Sequence, residues 1–114
     1  MRVIIAGSRS IGDYELVEQA VADSGFNITE VVSGKAIGVD TLGEIWANEH
    51  GVPIKPFPAN WAKYGRRQAG KIRNQQMADY ADALIAVIKN HSSGSSDMLK
   101  RIQDANKPFY LVEV

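Results

Sequence analysis

Short apolar runs and amphipathic stretches alternate along the chain from end to end. Five runs rich in β-branched or aromatic residues predict strands at positions 2–6, 28–32, 53–57, 83–88 and 108–112. Apolar residues at helical spacing predict four helices between them, at 14–24, 40–50, 71–80 and 97–105. Asp13, Asp40 and Asp97 stand at three of the predicted helix starts, where a carboxylate can cap free backbone N–H groups. The expected inner face of the second helix contains Leu42, Ile45, Trp46 and Ala47.

The alternation of strands with helices is typical of a parallel sheet that has helices on both faces. Right-handed crossovers leave few topologies for five strands. A Rossmann-like order 3-2-1-4-5 places the third strand, which contains Pro53 and Pro56, at a sheet edge where a missing N–H is tolerated. We therefore predict an α/β fold: one Rossmann-like three-layer domain over residues 1–114, with a five-stranded parallel sheet.

Four polar segments follow the predicted strands or open the predicted helices. They are GSRS at 7–10, SGKAIGVD at 33–40, the stretch 61–74, and HSSGSS at 91–96. In this strand order the first and fourth strands are neighbours where the order reverses, and ligands bind there beyond the carboxyl ends of the strands. Glycines allow a ligand to approach the backbone, and helix N-termini attract phosphate or carboxylate. The sequence therefore predicts one anion-binding site.

The stretch 61–74 holds the one concentrated group of cations in the sequence: Arg66, Arg67, Lys71 and Arg73. Elsewhere the charges balance, with 13 Lys plus Arg against 13 Asp plus Glu, so no basic excess favours a duplex nucleic acid as partner. Trp61 and Tyr64 can stack on a base while the arginines contact phosphate. The same composition suits a single strand of nucleic acid. It also suits a solvated connection whose aromatic side chains pack on the domain edge.

Several classes of function are excluded or disfavoured. The chain has no cysteine, which excludes disulfides, thiolate chemistry and cysteine-ligated zinc. His50 and His91 are far apart in sequence, so we expect no metal site and no cofactor. No apolar stretch approaches the length of about 18 residues that crosses a bilayer, and we expect a cytoplasmic protein with no membrane partner. The two standard phosphate fingerprints, G-x-x-x-x-G-K-[ST] and G-x-G-x-x-G, are both absent.

The longer motifs carry a family resemblance. GSRS, SGKAIGVDTLGEIWA, FPANWAKYGRRQAGKIRNQQMADYADALIAV and GSSDMLKRIQDA follow in the order seen in the YspA-like branch of the SLOG superfamily. The chain resembles this branch over nearly its whole length, and PANW with AG-x-x-RN-x-x-M is the most specific part. The superfamily is Rossmann-like, includes relatives of the DNA-processing protein DprA and of the lonely-guy phosphoribohydrolases, and is associated with nucleotides and nucleotide-derived signals. The resemblance implies a bacterial or phage protein in nucleotide signalling or phage–host conflict.

The resemblance also implies ligand contacts from all four segments. Carried over by position, they are Gly7, Ser8, Arg9, Gly34, Gly38, Asp40, Arg73, Asn74, Gly94 and Ser95. Lys35, Trp61, Tyr64 and Ser93 are further ligand-binding candidates because of their charge, aromatic ring or hydroxyl. The chain departs from the family at Lys35 and Ile37, where the pattern reads small-Ala-Arg. The loop NHSSGSSD also lacks the paired glycines and threonine of G-G-x-G-T, and Asp97 and Met98 follow it in place of the phosphoribohydrolases' glutamate. Their hydrolysis is therefore not carried over.

Three functions remain open. The first is a domain that binds a nucleotide or nucleotide-derived signalling ligand. The second is an N-glycosidase or phosphoribohydrolase, for which Asp40 and Asp97 are the carboxylates available as acid or base. The third is a single-stranded nucleic-acid-binding module that uses the cations and aromatics of 61–74. Because relatives in the superfamily often dimerise, the resemblance implies a homo-oligomer. A proline-rich edge strand discourages edge pairing, so we expect the interface to be a helix face.

Overall fold

The computed structural model describes residues 1–90 and 93–114, except for the side chains of Arg66, Arg67 and Ser93. Its strands are β1 (Arg2–Gly7), β2 (Glu30–Ser33), β3 (Ile54–Pro56), β4 (Ala83–Ile88) and β5 (Phe109–Glu113). Its helices are α1 (Tyr14–Ser24), α2 (Val39–Glu49), α3 (Trp61–Tyr80) and α4 (Ser93–Asp104). His91 and Ser92, which belong to the fourth polar segment, lie outside the described residues.

All strand pairs of the sheet are parallel, and their order is β3-β2-β1-β4-β5. The predicted α/β class and the predicted order are confirmed. β1 and β4 form the centre, in register from Val3 opposite Ala83 to Gly7 opposite Val87. The short, proline-containing β3 lies at an edge, as its missing N–H groups require.

Successive residues of the central strands point to opposite faces of the sheet and build two cores. On one face, Val3 and Ile5 of β1 pack with Val17 of α1 and Ala47 of α2. On the other face, Ile4 packs in a cluster that includes buried residues of the other two helices, Met77 of α3 and Ile102 of α4. Every residue of β4 is buried, which is why ALIAVI is apolar without alternation. The sheet is thus covered on both faces, and its carboxyl rim stays open for a site.

The helix boundaries confirm one predicted cap and correct two. Asp13 caps α1 by accepting a hydrogen bond from the Glu15 amide at 3.0 Å, and Gly25 ends the helix with a φ of 70°. Asp40 was expected to cap α2, but the cap is Gly38, whose φ of 80° suits glycine. A Cβ on Gly38 would lie only 2.4 Å from the Ser8 carbonyl oxygen, so the close approach of two loops selects glycine there.

The other corrections concern α4, α3 and one core residue. α4 begins at Ser93, so Asp97 lies inside the helix and does not open it. α3 begins at Trp61 instead of near Lys71, because Asn60 caps it at the Lys63 amide. It consists of two helical stretches that meet at a kink, where Gly65 has a non-helical φ of 77°. Ile45 was expected on the inner face of α2 but is 40% exposed.

Across the described ranges 1–90 and 93–114, no helix is long and apolar enough to cross a bilayer. The same part of the chain contains no group of three or more His, Cys, Asp or Glu side chains placed to hold a metal ion. The cytoplasmic location, the single domain and the homo-oligomer stay predictions.

Candidate functional site

A cleft of about 540 Å³ opens at the carboxyl ends of β1 and β4. We call it the rim cleft. All four polar segments contribute to its lining, together with Lys89 after β4 and apolar residues of β1, α3 and α4: Ala6, Gly7, Ser8, Arg9, Ser10, Gly34, Ala36, Asp40, Arg73, Asn74, Met77, Lys89, Gly94, Ser95 and Met98. Four chain segments that are distant in sequence therefore meet where the strand order reverses. The volume lies within the range of about 300–1,000 Å³ that is usual for small-molecule sites.

The described lining of the rim cleft includes three residues with cationic side chains: Arg9, Arg73 and Lys89. Arg73 was expected at the start of a helix, but it lies in the interior of α3. Its Nη1 donates to the Gly34 carbonyl oxygen at 2.5 Å, and its Nε donates to Asn74 Oδ1 at 3.2 Å. Burial lowers the pKa of Arg73, and the charge of Arg9 lowers it further, against the opposing effect of Asp40.

Asp40 is the acidic residue among the described lining of the rim cleft, and its side chain is buried. Burial raises the pKa of its carboxyl to about 6, although the Ala36 amide and the positive charge of Arg73 act to lower it. The Oδ2 atom accepts a hydrogen bond from the Ala36 amide at 3.3 Å. A Cβ on Gly34 would lie 2.9 Å from this oxygen and 3.0 Å from Arg73 Nη1, so a glycine is needed for both groups to reach this wall.

Asn74 joins α3 to α4 beside the rim cleft. Its Nδ2 donates to Asp97 Oδ2 at 2.9 Å and to the Gly94 carbonyl oxygen at 3.4 Å. Asp97 accepts two further hydrogen bonds from Arg101, at 2.8 and 3.2 Å. Burial acts to raise the pKa of Asp97, but the hydrogen bonds from Arg101 and Asn74 hold it below its ordinary value. Asp97 lines a separate surface pocket with Arg101, so the structure does not bring this candidate acid to the rim cleft.

Two of the three serines predicted to bind a ligand, Ser8 and Ser95, are buried at the rim cleft. The Ser8 hydroxyl donates to the Lys89 carbonyl oxygen at 3.1 Å and accepts from the Lys89 amide at 2.7 Å. These two hydrogen bonds extend the pairing of β1 with β4 beyond Gly7 and Val87. The hydroxyl proton of Ser8 is donated to the Lys89 carbonyl oxygen and is therefore not available to a ligand. Ser95 lies in the first turn of α4, which presents Gly94 to the cleft as well. A helix N-terminus favours anions, so this turn adds to the positive potential.

A second depression of about 320 Å³, which we call the side pocket, adjoins the rim cleft. Its described lining is Arg9, Gly34, Lys35, Ala36, Ile37, Pro58, Ala59, Trp61 and Arg73. Lys35 and Trp61 therefore belong to this pocket and not to the cleft. The Lys35 ammonium forms an ion pair at 2.8 Å with Glu44 of α2, so the positive charge of Lys35 is held beside that helix. Neither Gly38 nor Tyr64 is among the described residues that line either space.

Sequence reasoning missed Lys89, Ala36 and the floor of the rim cleft, which is formed by Met77 and Met98. Lys89 had a usable signal, because it is the first residue after the most apolar strand. The two methionines had none, since apolar residues at helical spacing predict only a core. The side chains of Arg66, Arg67 and Ser93 lie outside the description, so the parts of the prediction that depend on them stay predictions.

A parallel five-stranded sheet with a ligand-sized cleft at its switch point defines a Rossmann-like α/β domain. The family model described as YspA, cpYpsA-related SLOG family matches residues 1–64, more than half of the chain. The chain belongs to this family, which confirms the resemblance seen in its motifs. Arg9 and Asp40 fall within the matched range, whereas Arg73 and Asn74 lie beyond it.

The fold is similar to that of DNA processing protein A (DprA) from Streptococcus pneumoniae, known from an X-ray structure. The two superpose with a TM-score of 0.78 at 18% sequence identity, over 96% of this chain and 49% of the other. At this identity the similarity is one of fold, and the chain spans about half the length of the DprA chain. No curated protein sequence matches the chain significantly.

Proposed function

We propose that this protein binds a nucleotide or a nucleotide-derived ligand and that the ligand's phosphate lies in the rim cleft. The observation that carries the proposal is the convergence of the Arg9 and Arg73 side chains on one cleft beside the first turn of α4. Membership in the SLOG family and the Rossmann-like fold support the same class of ligand.

The charges in the cleft favour an anion. A phosphate between two guanidinium groups offsets the positive charge of both, and guanidinium–phosphate contacts are among the stronger hydrogen bonds in proteins. Within the described residues, the Arg9 guanidinium makes no hydrogen bond or ion pair, so its donors are available. Arg73 is held in place by Gly34 and Asn74, which reduces the entropy lost on binding.

Thermal unfolding with a panel of ligands tests the proposal. Adenine nucleotides, NAD, ADP-ribose and cyclic dinucleotides are each added at increasing concentration to the parent protein and to Arg9→Ala. A ligand at 100 times its Kd stabilises the folded state by about 2.7 kcal/mol, which raises the Tm by on the order of 10 °C in a domain of this size. Arg9→Ala is expected to reduce the shift, and the protein without ligand keeps its Tm because this side chain is exposed.

Arg2→Ala is the matched control, because Arg2 lies at the opposite end of the same strand, away from the rim cleft. Its ligand-induced shift is expected to equal that of the parent. A panel that produces no shift, or shifts that Arg9→Ala leaves intact, contradicts the proposed function.

A second candidate, hydrolysis of the N-glycosidic bond of such a nucleotide, is favoured by the position of Asp40. Its buried carboxyl, with a pKa of about 6, lies in the same cleft and can hold or release a proton near neutral pH. Incubation with nucleoside monophosphates and NAD is expected to release free base from the parent but not from Asp40→Asn. If no base is released at high protein concentration, the protein only binds these compounds.

A further inference from the structure

The side pocket and the rim cleft are neighbouring depressions that share part of their lining. Arg9, Gly34, Ala36 and Arg73 line both spaces, so the two arginines stand at their boundary. The side pocket extends from the end of β2 toward the loop between β3 and α3, away from α4. A ligand whose phosphate contacts both arginines therefore has a second space within reach, on the side opposite the helix N-terminus.

The side pocket differs chemically from the cleft. Its wall includes Trp61, which is 48% exposed, and Ile37, which is 69% exposed, together with Pro58 and Ala59. Two large exposed apolar side chains in one depression gather apolar surface in one place. Such grouped surfaces mark binding sites, whereas single exposed apolar residues are common on any protein. Its described lining contains no carboxylate, and the Lys35 charge is paired with Glu44 outside that lining. This pocket suits a flat, uncharged ring.

The position of Trp61 is fixed by the local structure. It is the first residue of α3, and Asn60 caps that helix through a hydrogen bond from the Lys63 amide to Asn60 Oδ1 at 3.1 Å. The cap holds the backbone that carries the Trp61 ring, and the ring, 48% exposed, is accessible to a ligand. Base–aromatic stacking works with any heterocyclic base, because each base has a π-face.

We propose that the side pocket binds the heterocyclic base of the ligand, with Trp61 as the stacking residue. The inference rests on the proposed function and narrows it: the ligand class is a nucleotide that carries its base close to the phosphate. Sugar phosphates and inorganic phosphate fill only the rim cleft. Tyr64, predicted from the sequence as a second stacking residue, is not among the described lining of the pocket, so the proposal assigns the stacking to Trp61.

Calorimetric titration of the full chain tests the inference with three kinds of probe: the four common nucleoside 5′-monophosphates, ribose 5-phosphate, and inorganic phosphate. At least one nucleotide is expected to bind ten-fold or more tightly than ribose 5-phosphate and to quench the fluorescence of exposed Trp61. Trp61→Ala is expected to lower nucleotide affinity roughly ten-fold, the scale of one base–aromatic stack, and to leave ribose 5-phosphate binding unchanged.

Two further variants separate stacking from structural damage. Trp61→Phe retains an aromatic ring and is expected to recover most of the nucleotide affinity. Phe109→Ala removes a comparably exposed aromatic (41%) from β5 at the far edge of the sheet and is expected to bind like the parent.

Each contrary outcome overturns a different claim. If nucleotides and ribose 5-phosphate bind equally, and Trp61→Ala binds like the parent, the base site is refuted while the phosphate site stands. If no phosphate compound binds, the proposed function fails and the base site with it. If single-stranded oligonucleotides bind through Trp61 and displace every mononucleotide, the surface holds a nucleic-acid strand and the inference is wrong.

Discussion

Replacement of Asp40 with asparagine is expected to stabilise the protein at neutral pH. The Asp40 carboxyl is 7% exposed, and burial raises its pKa from 3.8 to about 6. In the unfolded chain this carboxyl ionises near its ordinary pKa, so between pH 4 and 6 the folded state holds a proton that the unfolded state has released. The stability that the neutral carboxyl contributes is present below about pH 4 and is lost as the pH rises through about 6.

The pKa difference sets the magnitude. It amounts to about two pH units, and each unit corresponds to about 1.4 kcal/mol, so the charged carboxylate costs about 3 kcal/mol above pH 7. Asparagine has nearly the same shape, carries no charge, and keeps an oxygen that can accept from the Ala36 amide. The difference in free energy of unfolding between Asp40→Asn and the parent is expected to be near zero at pH 4 and to rise to about 3 kcal/mol by pH 7.5.

Urea unfolding followed by circular dichroism at several pH values between 4 and 8 measures this difference. Asp97→Asn is the matched control with the opposite sign, because hydrogen bonds from Arg101 and Asn74 hold the pKa of Asp97 below its ordinary value. Its loss is expected to destabilise the protein at neutral pH and to matter less as the pH falls below about 4. The prediction is refuted if the difference in free energy of unfolding between Asp40→Asn and the parent is the same at pH 4 and pH 7.5, or if the variant is less stable than the parent at pH 7.5. Burial then does not raise the pKa of Asp40.

Three other substitutions test the framework around the site by urea unfolding at pH 7. Asn74→Ala removes the hydrogen bonds between α3 and α4, including the 2.9 Å contact to Asp97, and is expected to lower the free energy of unfolding by about 1–3 kcal/mol. A loss below about 0.5 kcal/mol would show that these hydrogen bonds contribute little to stability. Lys107→Met removes an ammonium that donates to the Ala78 and Ala81 carbonyl oxygens at 2.7 and 2.8 Å, so about 1–2 kcal/mol should be lost, and an unchanged midpoint contradicts this capping. Gly38→Ala places a Cβ at a φ of 80° and close to the Ser8 carbonyl, and it is expected to cost about 2 kcal/mol or more; full stability would mean that the two loops can separate freely.

The strand order and the meeting of the four polar segments were accessible from the sequence because both depend on local patterns and on general packing rules. The apolar run 83–88 identifies a central strand, and the handedness of crossovers leaves few places for the others. Residues such as Arg9, which directly follow a parallel strand, must then lie at the carboxyl rim.

The positions that differ from the prediction are those of residues whose environment depends on contacts with other parts of the chain. Nothing local shows that Gly38 touches the Ser8 backbone, so Asp40 looked like the cap of α2 when it is in fact a buried side chain of the cleft. Lys35 was a ligand-binding candidate because of its charge, and the structure places it in the side pocket, where its ammonium is paired with Glu44. Asp97 is turned from the cleft by Arg101, one helical turn further along α4.

The claim on which the account depends is that Arg9 and Arg73 together hold the phosphate of a ligand in the rim cleft. A crystal structure of the protein soaked with a saturating nucleoside monophosphate tests it most directly. Phosphate density is expected within hydrogen-bond distance of both guanidinium groups, beside the first turn of α4. Phosphate density elsewhere on the protein, or a rim cleft that holds only water at saturation, would contradict it.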